Sequence, residues 1–546
     1  MLTQDIKKFF GGEVMDDKET LERCSTDASI FKVMPEAVVA PKDTDDLSRL
    51  MQFVNAEKKA GKDISLTARS GGTDMSGGPL NDSIIIDFTK HFNKFIELGD
   101  DYAITEPGVY YRDFEKQTLT KNLLMPSYPA SREICTVGGI VANNSGGEKS
   151  LLYGKIENYV EELDVLLSNG EKITVKSLEK KELEKKKKLK TFEGEIYRKT
   201  YELIENNYDA IHAAKPNVSK NSAGYFLWNV WDRTTFNLNR LFVGSQGTLG
   251  LVTKIKFKLV KKHNHSELLV MFLKDLNHLG ELIDTILPFR PESFESYDDN
   301  TLKLAVKFFP ELLRQMRGNI FLLGLRFLPE LWMTLTGGVP KLILIAEFTG
   351  ETEEEIYTKI EEVQKSIRAK FGTKCHVTRN SAEAEKYWTV RRESFNLLRK
   401  HVQGKHTAPF IDDIVVRPHD LPEFLPKLNA LLDPYKNRII YTIAGHAGDG
   451  NFHIIPLMDF KNPKDRAIIF SLSESVYSLI AEFKGSITGE HNDGLIRTPY
   501  LNKMYSPEII HLFEETKNIF DPEHILNPRK KVFPDMNYAT EHMKTD

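Results

Sequence analysis

Cysteine is scarce in this chain. Cys24, Cys135 and Cys375 are too few and too scattered for a disulfide framework or an iron-sulfur cluster, which points to a reducing, intracellular setting. No uncharged apolar run reaches the roughly 18 residues of a membrane span, and the N-terminal MLTQDIKKFF has charges where a signal peptide needs its apolar core. No transmembrane segment and a cytoplasmic location are expected. Neither sign of charge is in excess: 74 Lys and Arg against 78 Asp and Glu leave a net charge of −4, so no nucleic-acid partner is implied. The GxGxxG dinucleotide fingerprint and the GxxxxGK[ST] phosphate loop are both missing. What is present is 546 residues with an apolar fraction of 40%, ample for an enzyme of about two domains.

Glycine is concentrated where strands end. Three stretches follow plausible strands: ARSGGTDMSGG (Ala68 to Gly78), TVGGIVANNSGG (Thr136 to Gly147) and GSQGTLG (Gly244 to Gly250). Small residues leave backbone N–H groups uncovered, and such groups hold a pyrophosphate without charged side chains. One such loop would be an ordinary turn; three within this span are hard to explain so.

Two later segments offer metal ligands. GHAGDGNFH (Gly445 to His453) and GEHNDG (Gly489 to Gly494) supply His446, His453 and Glu490, with His491 as an adjacent spare base. Two imidazoles and one carboxylate leave a coordination position open on Zn2+ or another divalent ion, as catalysis requires. Gly448 and Gly450 permit the tight strand-turn-strand that would bring the histidines together. Ordinary loop histidines give the same local pattern, so the reading leans on the glycine loops upstream.

These loops, the two histidine segments and the closing FDPEHILNP together resemble the FAD-linked oxidases of the vanillyl-alcohol oxidase (PCMH) superfamily. Within it, the D-2-hydroxy-acid dehydrogenase branch, including D-lactate and D-2-hydroxyglutarate dehydrogenases, is the nearest match, from about Val38 to about Lys531. The resemblance implies an α+β architecture. Residues 1–260 would form a PCMH-type FAD-binding domain, 261–484 a ferredoxin-like α+β substrate or cap domain, and 485–546 a C-terminal segment returning to the FAD domain. Strand and helix patterns from about Lys261 onward agree with the second of these, including strands read over Pro409 to Val416 and over the β-rich run Arg438 to Ala444.

Carried over motif by motif, the resemblance places Ser70, Gly71, Gly72, Thr73 and Asp74 at the FAD pyrophosphate, continued by Thr136, Gly138, Gly139, Asn143, Ser145 and Gly146. Gly250 and Val252 would lie along the dinucleotide and Asn527 near the ring. Thr73 and Asp74 stand where some relatives carry a flavin-linking His, so FAD is expected to be non-covalent. His491 would accept the hydroxyl proton while hydride passes to flavin N5. In WTVRRESF, Arg392 is the expected partner of the substrate carboxylate, ahead of Arg391. Lys405 is a further substrate candidate, in a segment that matches poorly; Gln246 and Arg529 depart from the usual Glu and Gly.

Expected partners are a small D-2-hydroxy acid, an external electron acceptor such as quinone or an electron-transfer flavoprotein, and a second copy of the chain in a homodimer. Two other readings stay open: a flavoprotein oxidoreductase on another substrate with a vestigial metal site, and a non-catalytic membrane-associated flavin-binding protein. Residues 302–338 mix Phe, Leu, Met and Trp with Lys307, Arg314, Arg317 and Arg326, which suits peripheral attachment to a membrane face, a packed insertion, or an oligomer interface. The charged insertion 177–190 reads as a solvated helix with i,i+4 pairs Glu182–Lys186 and Glu184–Lys188.

Overall fold

The computed structural model describes residues 2–307, 340–402 and 404–545, so residues 308–338 of the aromatic segment lie outside the described residues. Two sheets build the first part of the molecule. In the smaller, Ile84–Asp87 lies between Ala37–Ala40 and Leu66–Arg69, parallel to both, with Glu13–Met15 on the outer edge of Ala37–Ala40. Its Ile-Ile-Ile-Asp run is buried throughout, as a strand covered on both faces requires. The larger sheet is antiparallel and six-stranded, with Val160–Leu166 and Leu251–Lys258 at its centre. The chain returns to this unit at its far end: Leu526 bridges Leu66, and Ile525 and Leu526 join the core formed with Leu50, Val54 and Ile86.

A seven-stranded antiparallel sheet carries the second part. Its order is Cys375–Val377, His265–Leu273, Leu342–Gly350, Ser293–Asp298, Ile443–His446, Asn451–Ile454 and Ile414–Val415. Helices Glu353–Phe371 and Ser381–His401 pack on it. The first is capped by Thr352 at its start and by left-handed Gly372 at its end, and buries Ile356, Ile360, Val363 and Ile367 on one stripe. The second sets Tyr387, Trp388 and Val390 against Val270, Tyr297 and Ile345 of the sheet.

Three sequence expectations change. The run 409–416 read as a strand, but pairing is confined to Ile414–Val415, because Asp413 takes a left-handed φ of 65° that interrupts extension. The strand expected over 438–444 begins only at Ile443, since Arg438 and Ile439 close a turn on the Tyr435 carbonyl. In the charged insertion, helix Lys180–Lys187 forms, but Lys186 pairs with Glu193 and Lys187 with Glu184, while Glu182 closes a capping box with Glu179. Among the described residues no helix is long and apolar enough to cross a membrane.

Candidate active site

The two parts meet at a cavity of about 680 Å3. One wall is made of the glycine loops. Ser70, Gly71, Gly72, Thr73, Thr136, Gly138, Gly139, Ser145, Gly250 and Val252 all line it. A Cβ on Gly71 would stand 2.7 Å from the Ile134 carbonyl, and one on Gly139 would stand 3.2 Å from Ser70 Oγ, so the loops approach each other as only glycine permits. The amides of Gly71, Gly72 and Thr73 find no acceptor among the described residues. That is a cradle for an anion held by backbone, and it fits the FAD pyrophosphate.

Asp74 and Asn143 also line the cavity, but their polar atoms are engaged. Asp74 Oδ2 accepts from Ser76 N (2.9 Å), Ser76 Oγ (2.7 Å) and Gly78 N (2.8 Å), while Asn143 Nδ2 donates to Asp74 Oδ1 (2.7 Å). Asp74 therefore fixes the first loop to the second; a carboxylate aimed at phosphate would repel it. Asn527 and Gly146 do not line the cavity. Asn527 Nδ2 donates to the carbonyls of Gly78 (3.0 Å) and Gln246 (2.6 Å), and its Oδ1 accepts from Thr67, so it ties the C-terminal segment to loops one and three. Gln246 explains its own departure from Glu: its amide donates toward Ser76 and Asn143 while its carbonyl accepts from Gly494 N (2.9 Å). A carboxylate could not donate.

The opposite wall follows from strand register. Ser296 pairs with Gly445, and Ala444 with His453, and directly paired antiparallel residues share a face. With a period of two, Glu295, His446 and His453 therefore project from one face of the sheet. Glu490 joins from the C-terminal segment, so the donor atoms of His446, His453 and Glu490 all lie within 4.8 Å of one another. Glu295 Oε1 lies 2.5 Å from His446 Nδ1, and Asp412 Oδ1 lies 3.2 Å from His453 Nδ1, which leaves both Nε2 atoms for a cation. An N2O donor set whose imidazoles are each oriented by a carboxylate fits a divalent ion. A second group, Asp412, His453 and His491, has the same closeness. Asp412 already serves both histidines there, which makes it the orienting carboxylate.

The loop bearing Glu490 is fixed by Asp413, whose Oδ2 accepts from Glu490 N (2.8 Å), His491 N (2.7 Å) and Thr488 Oγ1 (2.7 Å). Gly146 lies behind it: a Cβ there would stand 3.0 Å from Glu490 Oε1. Buried Lys220 Nζ donates to Glu490 Oε1 (2.6 Å) and lies 3.0 Å from Asp449 Oδ2. Burial opposes the charged forms throughout, but the pairings outweigh it. The Lys220 ammonium and the histidines hold Glu490 well below the usual carboxylate range, and His446 with Arg391 holds Glu295 down at about 2. Glu295 raises His446 to about 9, and Asp413 and Asp412 raise His491 to about 9. His491 Nδ1 stands 2.8 Å from Asp412 Oδ2 as a charge contact without hydrogen-bond alignment.

Both arginines of WTVRRESF line the cavity, in different surroundings. Arg391 reaches inward, with Nε and Nη2 at 3.1 and 3.0 Å from Glu295 Oε2, one residue removed from the cation ligands. Arg392 lies at the rim, half-exposed, its guanidinium over the Trp388 ring and its Nη2 donating to both oxygens of Glu148 at 2.8 Å. Lys405 is corrected: its ammonium donates to the Arg438 carbonyl, and it does not line the cavity. Glu295, Asp412, Asp413 and Lys220 went unremarked in the sequence reading. Only the Asp-Asp pair closing the β-rich run after Pro409 offered a signal there.

A glycine-loop cradle facing an imidazole and carboxylate wall is the plan of a flavin-dependent oxidoreductase. Two family models match in tandem, the FAD binding domain over residues 35–176 and the C-terminal domain of FAD linked oxidases over 262–531. The chain belongs to the FAD-linked oxidases. It is 27% identical to D-2-hydroxyglutarate dehydrogenase of Pseudomonas putida over 96% of its length, yet spans only 51% of that protein, about half. With glycolate oxidase subunit GlcD of Bacillus subtilis the identity is 27%, over 98% of each chain. The fold is shared with 4-ethylphenol oxidase from Gulosibacter chungangensis, at a TM-score of 0.68 and 15% identity, over 98% of this chain and 97% of that one.

Proposed function

We propose that this chain is an FAD- and divalent-metal-dependent dehydrogenase that oxidises a D-2-hydroxy acid to the 2-oxo acid. The observation that carries the reading is the meeting of His446, His453 and Glu490, each backed by a buried partner, with the glycine loops around one cavity. The names of the relatives, a D-2-hydroxyglutarate dehydrogenase and a glycolate oxidase subunit, support the 2-hydroxy acid class. Intact orienting carboxylates speak against a vestigial metal site.

FAD bound along the loops supplies the two-electron acceptor for the substrate's α-hydrogen. A divalent ion on the triad supplies a Lewis-acid position for the substrate's oxygens and a bias against protonation of His491. The remaining work falls to side chains. Arg391, anchored by Glu295, meets the substrate carboxylate with the guanidinium nitrogen that Glu295 leaves free. His491 takes the hydroxyl proton on Nε2, while Asp412 fixes the ring through its other side. Asp413 holds that loop still, and the second glycine loop closes the cavity to water behind Glu490.

FAD is held without a covalent bond, and the electrons leave to an external acceptor of the quinone or flavoprotein type. Peripheral attachment through residues 302–338 and a homodimer belong to the same proposal. The test is anaerobic reduction of the yellow protein by matched D and L acids, with and without chelator. Stereoselective bleaching by a D-acid that chelator abolishes is expected; no bleaching with FAD and metal both present would overturn the reading.

A further inference from the structure

Every described cation near the metal end of the cavity is matched by a carboxylate of the protein itself. Arg391 pairs with Glu295, Arg392 with Glu148, Lys149 with Glu292, and Lys220 with Glu490 and Asp449, while Arg132, beside the Tyr128 ring, lies 3.7 Å from Glu115 and 3.6 Å from Glu133. Lys405, the remaining candidate, lies outside the cavity on a backbone carbonyl. Thr301, Trp388, Thr442, Ala444 and Ile455 add neutral lining, Tyr128 an aromatic wall and Glu393 a further carboxylate.

One substrate carboxylate is provided for, by the ion on the triad and by Arg391. Among the described residues a second has no unpaired cation waiting. It would lie unpaired among Glu148, Glu295 and Glu490, or displace Glu148 from Arg392 and leave that carboxylate unpaired in its place. Arg392 could meet a distal carboxylate at the rim, but Glu148 holds it with both oxygens, whereas Arg132 is held more loosely by Glu115 and Glu133.

We propose, building on the 2-hydroxy acid reading above, that the cavity selects 2-hydroxy acids with an uncharged side chain, and that Glu148 sets this selectivity by keeping Arg392 engaged. The two residues come from opposite parts of the molecule, Glu148 following the second glycine loop and Arg392 lying on helix Ser381–His401. Selection is therefore written across the domain boundary.

The experiment compares D-2-hydroxyvalerate with D-2-hydroxyglutarate, matched in chain length, as reductants of the holoenzyme. The wild type is expected to favour the monocarboxylate in kcat/KM by about tenfold or more, Glu148→Gln to erase most of that ratio, and Glu148→Asp to keep it. Preference for the dicarboxylate in the wild type, or an unchanged ratio in Glu148→Gln, overturns the proposal. If the Gln variant loses FAD, perturbation of the wild-type flavin spectrum by valerate and glutarate decides instead, tighter valerate supporting the proposal and tighter glutarate sinking it. That binding comparison also separates the two readings: if no D-acid reduces the flavin, the dehydrogenase assignment falls while the valerate-to-glutarate ratio still judges selectivity.

Discussion

The two walls of the cavity are built on opposite principles. The glycine-loop wall works by shape: small residues, uncovered amides and close backbone approaches, with the side chains of Asp74, Asn143 and Gln246 turned toward one another. The facing wall works by charge, in buried pairs such as Glu295 with His446 and Lys220 with Glu490. One wall is vulnerable to an added methyl group and the other to an altered charge at constant shape.

That contrast can be broken from either side. The largest effect is expected from Glu490→Gln, which keeps the shape and removes the anionic ligand: metal content by elemental analysis should fall to background and turnover with it, while FAD stays bound at full occupancy. Loss of flavin along with the metal would show that the walls are not separable. The mirror experiment is Gly71→Val, whose Cβ meets the Ile134 carbonyl at 2.7 Å. It should purify colourless while retaining metal on the triad. Next, His491→Ala should lower kcat by roughly 10²- to 10⁴-fold with both cofactors in place. Asp412→Asn, which holds two imidazoles, should cost about 10- to 100-fold in metal affinity or activity, read by titration against a chelator. The smallest effect sharpens the comparison inside the shape wall. Gln246→Glu removes a buried donor to Ser76 and Asn143 at a position 5% exposed. It should destabilise the protein by about 1–3 kcal/mol in thermal melts, more above neutral pH than below.

Legibility from sequence follows the same division. The shape wall was readable because glycine clusters declare themselves, and twelve of the residues singled out in and beside the loops line the cavity. The meeting of His446, His453 and Glu490 was readable because they sit in two short glycine-flanked motifs. The orienting carboxylates were not, since Glu295 gains its meaning only from a register that sets Ser296 opposite Gly445. The choice between Arg391 and Arg392 turns on about 100° of helix rotation, and the spacing of charged neighbours does not reveal which side faces the sheet. Packing of Trp388 and Val390 decides it. Asp74, expected at the pyrophosphate, and Asn527, expected near the ring, have their polar atoms engaged by the loops, and a motif locates a residue without saying whether its polar atoms are already taken.

The pairing of Leu526 with Leu66 has a consequence for how the molecule is made. The first sheet is completed by residues some 460 positions later, as the bond from Thr67 to Asn527 also shows. During synthesis the flavin cradle must wait, its loops laid down early and left open until the segment around Leu526 emerges. Such long-range closure is slow to form. Completion of the flavin cradle then becomes a late event, and on the proposed reading the cavity stays incomplete until the segment bearing Glu490 and His491 has arrived.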